Sequence, residues 1–124
     1  MNTLTSVGRV LLKQRKYAEA VPFLRAALSG LEKRSPDAWG RFNSQSLLGA
    51  ALAGEGTYGE AEPLLLSGYN GLVERESRIP FPLRPAIEQA GERILQLYRD
   101  WGKPAKVAAW QEKVHVTTAD RVKP

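Results

Sequence analysis

A motif that recurs along the chain limits the possible fold more than any other feature of the sequence. Moving the sequence by 41 residues places Tyr17–Pro22 (YAEAVP) on Tyr58–Pro63 (YGEAEP). The same shift places Gly8 on Gly49. Even the proline recurs, early in each segment, where a helix loses only one backbone hydrogen bond and bends slightly. We therefore expect the two segments to fold alike.

The stretch Leu47–Leu72 shows what each copy is expected to form. Small and apolar residues recur at spacings of three and four on both sides of Gly54 and Gly56, at Leu48, Gly49, Leu52, Ala61, Leu64, Leu65, Gly68 and Leu72. These spacings put the residues on one helical face. Glycine permits the backbone angles of a tight turn. The stretch predicts two amphipathic helices folded against each other, close together at Gly49 and Ala61.

A third, weaker copy follows 46 residues after the second. The positions of Leu48, Leu52, Gly56 and Ala61 are taken there by Ile94, Tyr98, Gly102 and Val107. Three copies at a nearly constant period are typical of a stacked array of helix pairs.

These residues resemble the tetratricopeptide repeat, whose unit has a large residue, a Leu-Gly pair, a second large residue, an alanine and a further apolar residue. The first unit fits at Leu4, Val7-Gly8, Leu11, Ala20 and Leu24, and the second at Gln45, Leu48-Gly49, Leu52, Ala61 and Leu65. The third keeps the middle of the pattern, at Gly91, Ile94-Leu95, Tyr98, Val107 and Gln111, with Leu95 where the family has glycine. The period exceeds the family's usual length of about 34 residues and is similar to the long, kinesin-light-chain-like variety and to the ends of bacterial arrays.

The resemblance implies an all-α fold, a right-handed superhelical stack of about three helix-turn-helix units with six helices. Residues 1–116 would form the array, in units of about 1–35, 36–77 and 84–116. We expect helices over 3–14, 17–33, 36–53, 58–76, 86–101 and 104–116, with Ser35 as a cap of the third. Three prolines predict an extended linker between units over 78–85. Residues 117–124 are expected to form a flexible tail.

The resemblance also implies where a partner binds, because such arrays use the concave face formed by the first helix of each unit. The family's positions fall on Thr5, Arg9, Lys13, Asn43, Ser46, Ala50, Gln89, Glu92, Gln96 and Arg99. The same projection includes Leu12, Leu47, Ala53 and Arg93. Arg9 and Lys13 lie one helical turn apart, a spacing that lets them hold one carboxylate together. The alternative is that they are ordinary exposed side chains.

Three functions fit these observations. The first is a non-catalytic module or scaffold that binds a protein or peptide, an acidic one in particular, in the concave groove. The second is the terminal part of a larger array, for example one fused to a kinase or sensor, that self-associates or meets adjoining repeats. The third is a weak nucleic-acid binder that uses basic faces, since the net charge is +5 and the first 41 residues hold eight basic and three acidic side chains.

Composition supports no catalytic or metal site. The chain has no cysteine and one histidine, His115, which has no cluster of carboxylates beside it in the sequence. We therefore expect no enzyme activity, no cofactor and no metal. No run of apolar residues reaches the length of a membrane helix, and no signal-peptide pattern is seen. A cytoplasmic location without membrane binding is the expectation.

Overall fold

The structure, a computed structural model, describes the backbone of residues 3–122 and the side chains of residues 3–114. Six α-helices follow one another: α1 Thr3–Lys13, α2 Tyr17–Arg34, α3 Trp39–Gly54, α4 Tyr58–Glu74, α5 Pro85–Asp100 and α6 Pro104–Val122. No strand occurs in the described backbone. The predicted all-α fold with six helices is confirmed. The side chain of His115 lies outside the described part of the chain.

Each helix packs against the next one, and the odd-numbered helices also contact each other, α1 with α3 and α3 with α5. Contacts of both kinds are what a stack of helix pairs requires, because every pair must bury its apolar face on a neighbour. The arrangement places α1, α3 and α5 side by side.

The turns inside the three helix pairs share one backbone geometry. Each contains a residue with positive φ: Arg15 at 61°, Gly56 at 83° and Gly102 at 72°. In each turn the next residue donates a 2.9 Å backbone hydrogen bond to the carbonyl five positions earlier: Lys16 to Leu11, Thr57 to Leu52 and Lys103 to Tyr98. Such bonds satisfy carbonyls that the ending helix leaves without a partner. Turns of the same geometry therefore recur in the structure at the same 41- and 46-residue spacings as the sequence motif.

Two equivalent glycines allow the helices of the first and second pairs to approach closely. A Cβ atom on Gly8 would lie 2.5 Å from Cδ2 of Leu24, and one on Gly49 would lie 2.7 Å from Cγ of Leu65. Both leucines are fully buried. In the third pair the corresponding residue is Leu95, which is itself buried.

The core runs through the stack from α2 to α5 as one cluster of buried apolar side chains. Its fully buried members include Ala20, Leu24, Ala61, Leu65, Leu72, Ile87, Ile94 and Leu97. Burying each leucine or isoleucine side chain of this set stabilises the fold by roughly 1.5–3 kcal/mol relative to exposure.

The segment between α2 and α3 differs from the prediction. Helix α3 begins at Trp39 rather than at Pro36, and Ser35 ends α2 instead of capping α3, since its backbone N–H donates to the carbonyl of Leu31. Asp37 lies in this segment and forms two ion pairs. Its Oδ1 atom lies 2.6 Å from Arg75, and its Oδ2 atom lies 2.6 Å from Arg78. Those two ion pairs join this segment to residues that follow α4 in the chain.

The expected extended linker is also wrong. Residues 76–83 form two short 3-10 turns, Glu76–Arg78 and Phe81–Leu83, and α5 begins at Pro85 itself. Proline's fixed φ suits the first positions of such turns as well as it suits extended chain. Ile79, between the turns, is buried, and Arg84 donates through Nε to its carbonyl at 3.1 Å. At the other end of the chain α6 continues to Val122, six residues beyond its predicted end.

Candidate functional site

Helices α1, α3 and α5 carry two adjoining depressions, which we call together the groove. The first, of about 130 Å³, is lined by Arg9, Trp39, Asn43, Leu47, Pro82, Leu83, Pro85, Ala86, Gln89 and Arg93. The second, of about 320 Å³, is lined by Leu12, Lys13, Tyr17, Ala50, Ala53, Gly54, Arg93, Gln96, Leu97 and Asp100. Arg93 belongs to both depressions and thus stands at the centre of the groove.

A hydrogen bond to α3 fixes the position of the Arg93 side chain. Its Nη1 atom donates a 3.0 Å hydrogen bond to Oγ of Ser46, which is fully buried on α3. Burial, with the positive charge of Arg9 adding to its effect, lowers the pKa of Arg93 from 12.5 to about 10. The guanidinium stays charged at neutral pH, so the groove holds a cation that is poorly solvated and close to a second cation.

The first depression has only positive charges on its walls. Its charged lining residues are Arg9 and Arg93, and the other polar ones are Asn43 and Gln89. Within the described residues, Arg93 forms no ion pair with a carboxylate, and its hydrogen bond goes to a neutral hydroxyl. An anion placed here would be attracted by both guanidinium groups.

The second depression is larger and more apolar, with charges at its edge. Leu12, Ala50 and Leu97 form apolar walls, and Lys13 adds a second cation beside Arg93. The one acidic lining residue, Asp100, accepts a 2.8 Å hydrogen bond from Nε2 of Gln96. This depression suits an apolar group attached to an anion.

The structure brings together most of the residues predicted for the groove. Arg9, Lys13, Asn43, Ala50, Gln89 and Gln96 line its two depressions. Glu92 lines a wider, open hollow beside Arg93 on the α6 side of α5. Thr5 is buried and lines a separate cavity next to the first depression.

Ser46 and Arg99, which were also predicted for the groove, line neither depression. Ser46 is inaccessible to a partner and acts on the groove only by holding Arg93. Arg99 is exposed on α5 and lines none of the depressions described above. The family projection is wrong for Ser46 because it assigns helix faces without knowing which side chains a neighbouring helix covers.

Two residues outside the predicted groove set, Trp39 and Leu83, also line the first depression, although Leu83 lies in the predicted linker. Leu83 lies there because the 3-10 turn folds the segment before α5 back towards α3. The other two tryptophans pack between helices. Trp101 stacks on Tyr58 and Tyr98, and Trp110 meets Tyr69 edge to face.

The described residues contain neither a metal-ligand cluster nor a membrane-crossing helix. They contain no group of three or more histidine, cysteine, aspartate or glutamate residues placed to hold a metal ion. None of the helices, over the residues described, combines the length and the apolar character that crossing a bilayer requires.

No protein-family model matches the chain, and a search of the curated proteins found no match.

Proposed function

We propose that this chain is a non-catalytic interaction module of the tetratricopeptide-repeat kind, which binds an acidic peptide segment of a protein partner in the groove. The observation that carries the proposal is the first depression, where Arg9 and Arg93 line the wall and no acidic residue does. Arg93 is poorly solvated and its hydrogen bond goes to a neutral hydroxyl, so its charge is costly to the free protein. A carboxylate from a partner would remove that cost.

The repeat geometry supports the same proposal. The recurring turns at Arg15, Gly56 and Gly102 and the matched close contacts at Gly8 and Gly49 agree with the helix-pair pattern of that family. Odd-numbered helices side by side form the face that such arrays use for peptides.

The two depressions suggest how a peptide would lie. A carboxylate of the partner would contact Arg9 and Arg93, and an apolar side chain near it would enter the depression walled by Leu12, Ala50 and Leu97. The bidentate geometry of arginine favours carboxylates that are fixed in orientation.

Capture of partners from a lysate of the source organism tests the proposal. The double variant Arg9→Glu, Lys13→Glu reverses two charges of the groove and should lose the proteins that the wild type retains. The matched control Lys16→Glu, Lys33→Glu reverses two exposed charges that line neither depression, and it should retain them. Equal capture by the two double variants would refute the proposal.

Nucleic acid is a separate outcome of the same experiment. If the retained material is removed by nuclease, and binding weakens steeply with salt, then the basic groove serves phosphates instead of carboxylates.

The second candidate is that the chain forms the end of a larger array, or that it associates with a second copy of itself. It is favoured by the apolar side chains that α1 and α2 expose at Leu4, Val10 and Phe23, of which Val10 is 54% exposed. Here the partner would be an adjoining helix pair from a second copy of this chain. Sedimentation would show a concentration-dependent dimer that Val10→Glu dissociates, whereas a monomer at all concentrations would exclude this candidate.

A further inference from the structure

A separate cavity lies beside the first depression, between α1, α2, α3 and the 3-10 turn before α5. Its volume is about 210 Å³, and Leu31, Trp39 and Leu83 supply apolar wall. Thr5 lines it from α1, and Gly40, Asn43 and Ser44 line it from α3. No charged side chain of the described residues lines it. We call it the Ser44 cavity.

Ser44 is the unusual member of this wall. The residue is 1% exposed, and its Oγ has no hydrogen-bond partner among the described residues. A buried hydroxyl without a partner costs roughly 1–3 kcal/mol, and native structures contain few of them. Because a serine hydroxyl turns between staggered positions about its Cα–Cβ bond, Oγ can face the cavity that Ser44 already lines.

The size and walls of the cavity define what would fit. An apolar cavity of about 150 Å³ is able to hold one benzene ring, so the Ser44 cavity has room for a single ring and a small substituent. The indole of Trp39 offers an aromatic surface for a ring to contact, which favours an aromatic ligand over an aliphatic one. The absence of charge from the wall disfavours an ionic ligand, whose desolvation nothing would offset.

We propose that the Ser44 cavity is a binding site for a neutral hydroxyaromatic ring. The ring would lie among Leu31, Trp39 and Leu83, and its hydroxyl would exchange a hydrogen bond with Oγ of Ser44. The site shares the wall residues Trp39, Asn43 and Leu83 with the first depression, but neither Arg9 nor Arg93 lines it.

Nuclear magnetic resonance titration with p-cresol tests the proposal, with toluene as the probe that lacks only the hydroxyl. p-Cresol should bind about tenfold more tightly than toluene, the factor expected from one net hydrogen bond. The shifts should centre on the Trp39 indole N–H and the Ser44 amide. The absence of saturable shifts, or shifts centred elsewhere, would overturn the proposal and leave the cavity to water.

Two variants separate the hydroxyl contribution from that of the walls. In Ser44→Ala the preference for p-cresol over toluene should fall to nearly one, while toluene binds as before. In Leu83→Ala, a change at a side chain that is already 41% exposed, both probes should weaken together. A preference that survives in Ser44→Ala would contradict the assignment of the hydroxyl.

A third ligand distinguishes the two sources of such a ring. If N-acetyltyrosinamide binds as p-cresol does, a tyrosine side chain of a protein partner is the occupant. If only p-cresol binds, the occupant is a free hydroxyaromatic molecule. Both results support the hydroxyaromatic class, and both can be read without any groove partner.

Discussion

The guanidinium of Arg93 donates from Nη1 to Oγ of Ser46 at 3.0 Å, and this bond joins α5 to α3 beneath the groove. The acceptor is neutral, so the bond fixes the position of the guanidinium without compensating its charge. After burial, the charge that lowers the pKa of Arg93 is that of Arg9, which is also positive. The protein therefore keeps a positioned cation in contact with the groove at some cost to its own stability.

Replacing Arg93 by glutamine should stabilise the free protein. Glutamine keeps an N–H donor, on a side chain two bonds shorter, and removes the charge of a group whose pKa burial and Arg9 together lower to about 10. We expect the free energy of unfolding to rise by about 1 kcal/mol, a fraction of what the pKa shift alone implies, because the side chain retains contact with water. Urea denaturation at neutral pH measures this. A loss of stability would mean that the charge is compensated within the fold.

Gly68→Ala should destabilise the stack at the contact between α3 and α4. A Cβ atom there would lie 2.7 Å from the backbone oxygen of Phe42 and 2.9 Å from the backbone nitrogen of Ser46. Backbone atoms of a packed helix cannot move away as a flexible side chain can, so we expect a loss of about 1–3 kcal/mol.

Gly59→Ala is the matched control for that variant, on the same helix. A Cβ atom at Gly59 meets nothing within 4 Å, so alanine should be neutral or should stabilise α4 by up to about 1 kcal/mol. Thermal unfolding of both variants compares them directly. Equal effects of the two substitutions would contradict the close contact at Gly68.

Tyr98→Phe should weaken the junction of α4, α5 and α6. The Tyr98 hydroxyl donates to a carboxylate oxygen of Glu62 at 2.6 Å, and Nζ of Lys106 lies 3.8 Å from the same oxygen. Burial raises the pKa of Tyr98 above its ordinary value, and the hydrogen bond to Glu62 adds to the rise. Losing a hydrogen bond to a charged group should cost roughly 1.5–3 kcal/mol.

Chemical denaturation of Tyr98→Phe measures that loss, and a spectroscopic titration provides an independent check. In the wild type, the phenol of Tyr98 should remain protonated to a higher pH than an ordinary tyrosine does, and this late step should be absent from the variant. A titration that is the same in both proteins would contradict the buried hydrogen bond.

The contribution of Asp37 to the stability of the fold should decrease at acid pH. Hydrogen bonds from Arg78 and then Arg75, with the charges of both, lower the pKa of Asp37 from 3.8 to about 2. A carboxylate with a lowered folded pKa stabilises the fold above its unfolded value and loses that effect as the pH falls through its folded value. The wild type should therefore be more stable than Asp37→Asn at pH 6, and the difference should shrink between about pH 4 and pH 2.

Thermal unfolding of the two proteins across that pH range gives the measurement, and the carboxyl carbon resonance of Asp37 reports the titration itself. A midpoint at an ordinary aspartate value would contradict the paired geometry. The effect at neutral pH should be small, because the Asp37 side chain is largely exposed.

Local patterns were sufficient to predict the helix pairs. Gly8 contacts Leu24, and Gly49 contacts Leu65. Each contact joins two residues of one helix pair, so a short stretch of sequence contains both partners. The turn positions are predictable for the same reason. Arg15 shows the limit, since a residue other than glycine adopts positive φ there, at 61°, and only the repeat indicates it.

Contacts between distant segments were harder to predict. The bond from Arg93 to Ser46 spans 47 residues, and the two ion pairs of Asp37 span 38 and 41. Nothing in the local sequence of either partner indicates the other. The prolines of residues 80–85 are compatible with both extended chain and 3-10 turns, and the burial of Ile79 selects the turns. As a result Leu83 and Trp39 became part of the candidate site without a local signal.

Affinity selection from a library of random decapeptides tests the central claim most directly, with wild type, Arg93→Gln and the exposed-site control Lys16→Gln as baits. The account predicts that wild type and Lys16→Gln select peptides rich in aspartate and glutamate, and that Arg93→Gln loses this enrichment while remaining folded. Selection of the same peptides by Arg93→Gln, or no acidic enrichment by the wild type, would contradict it.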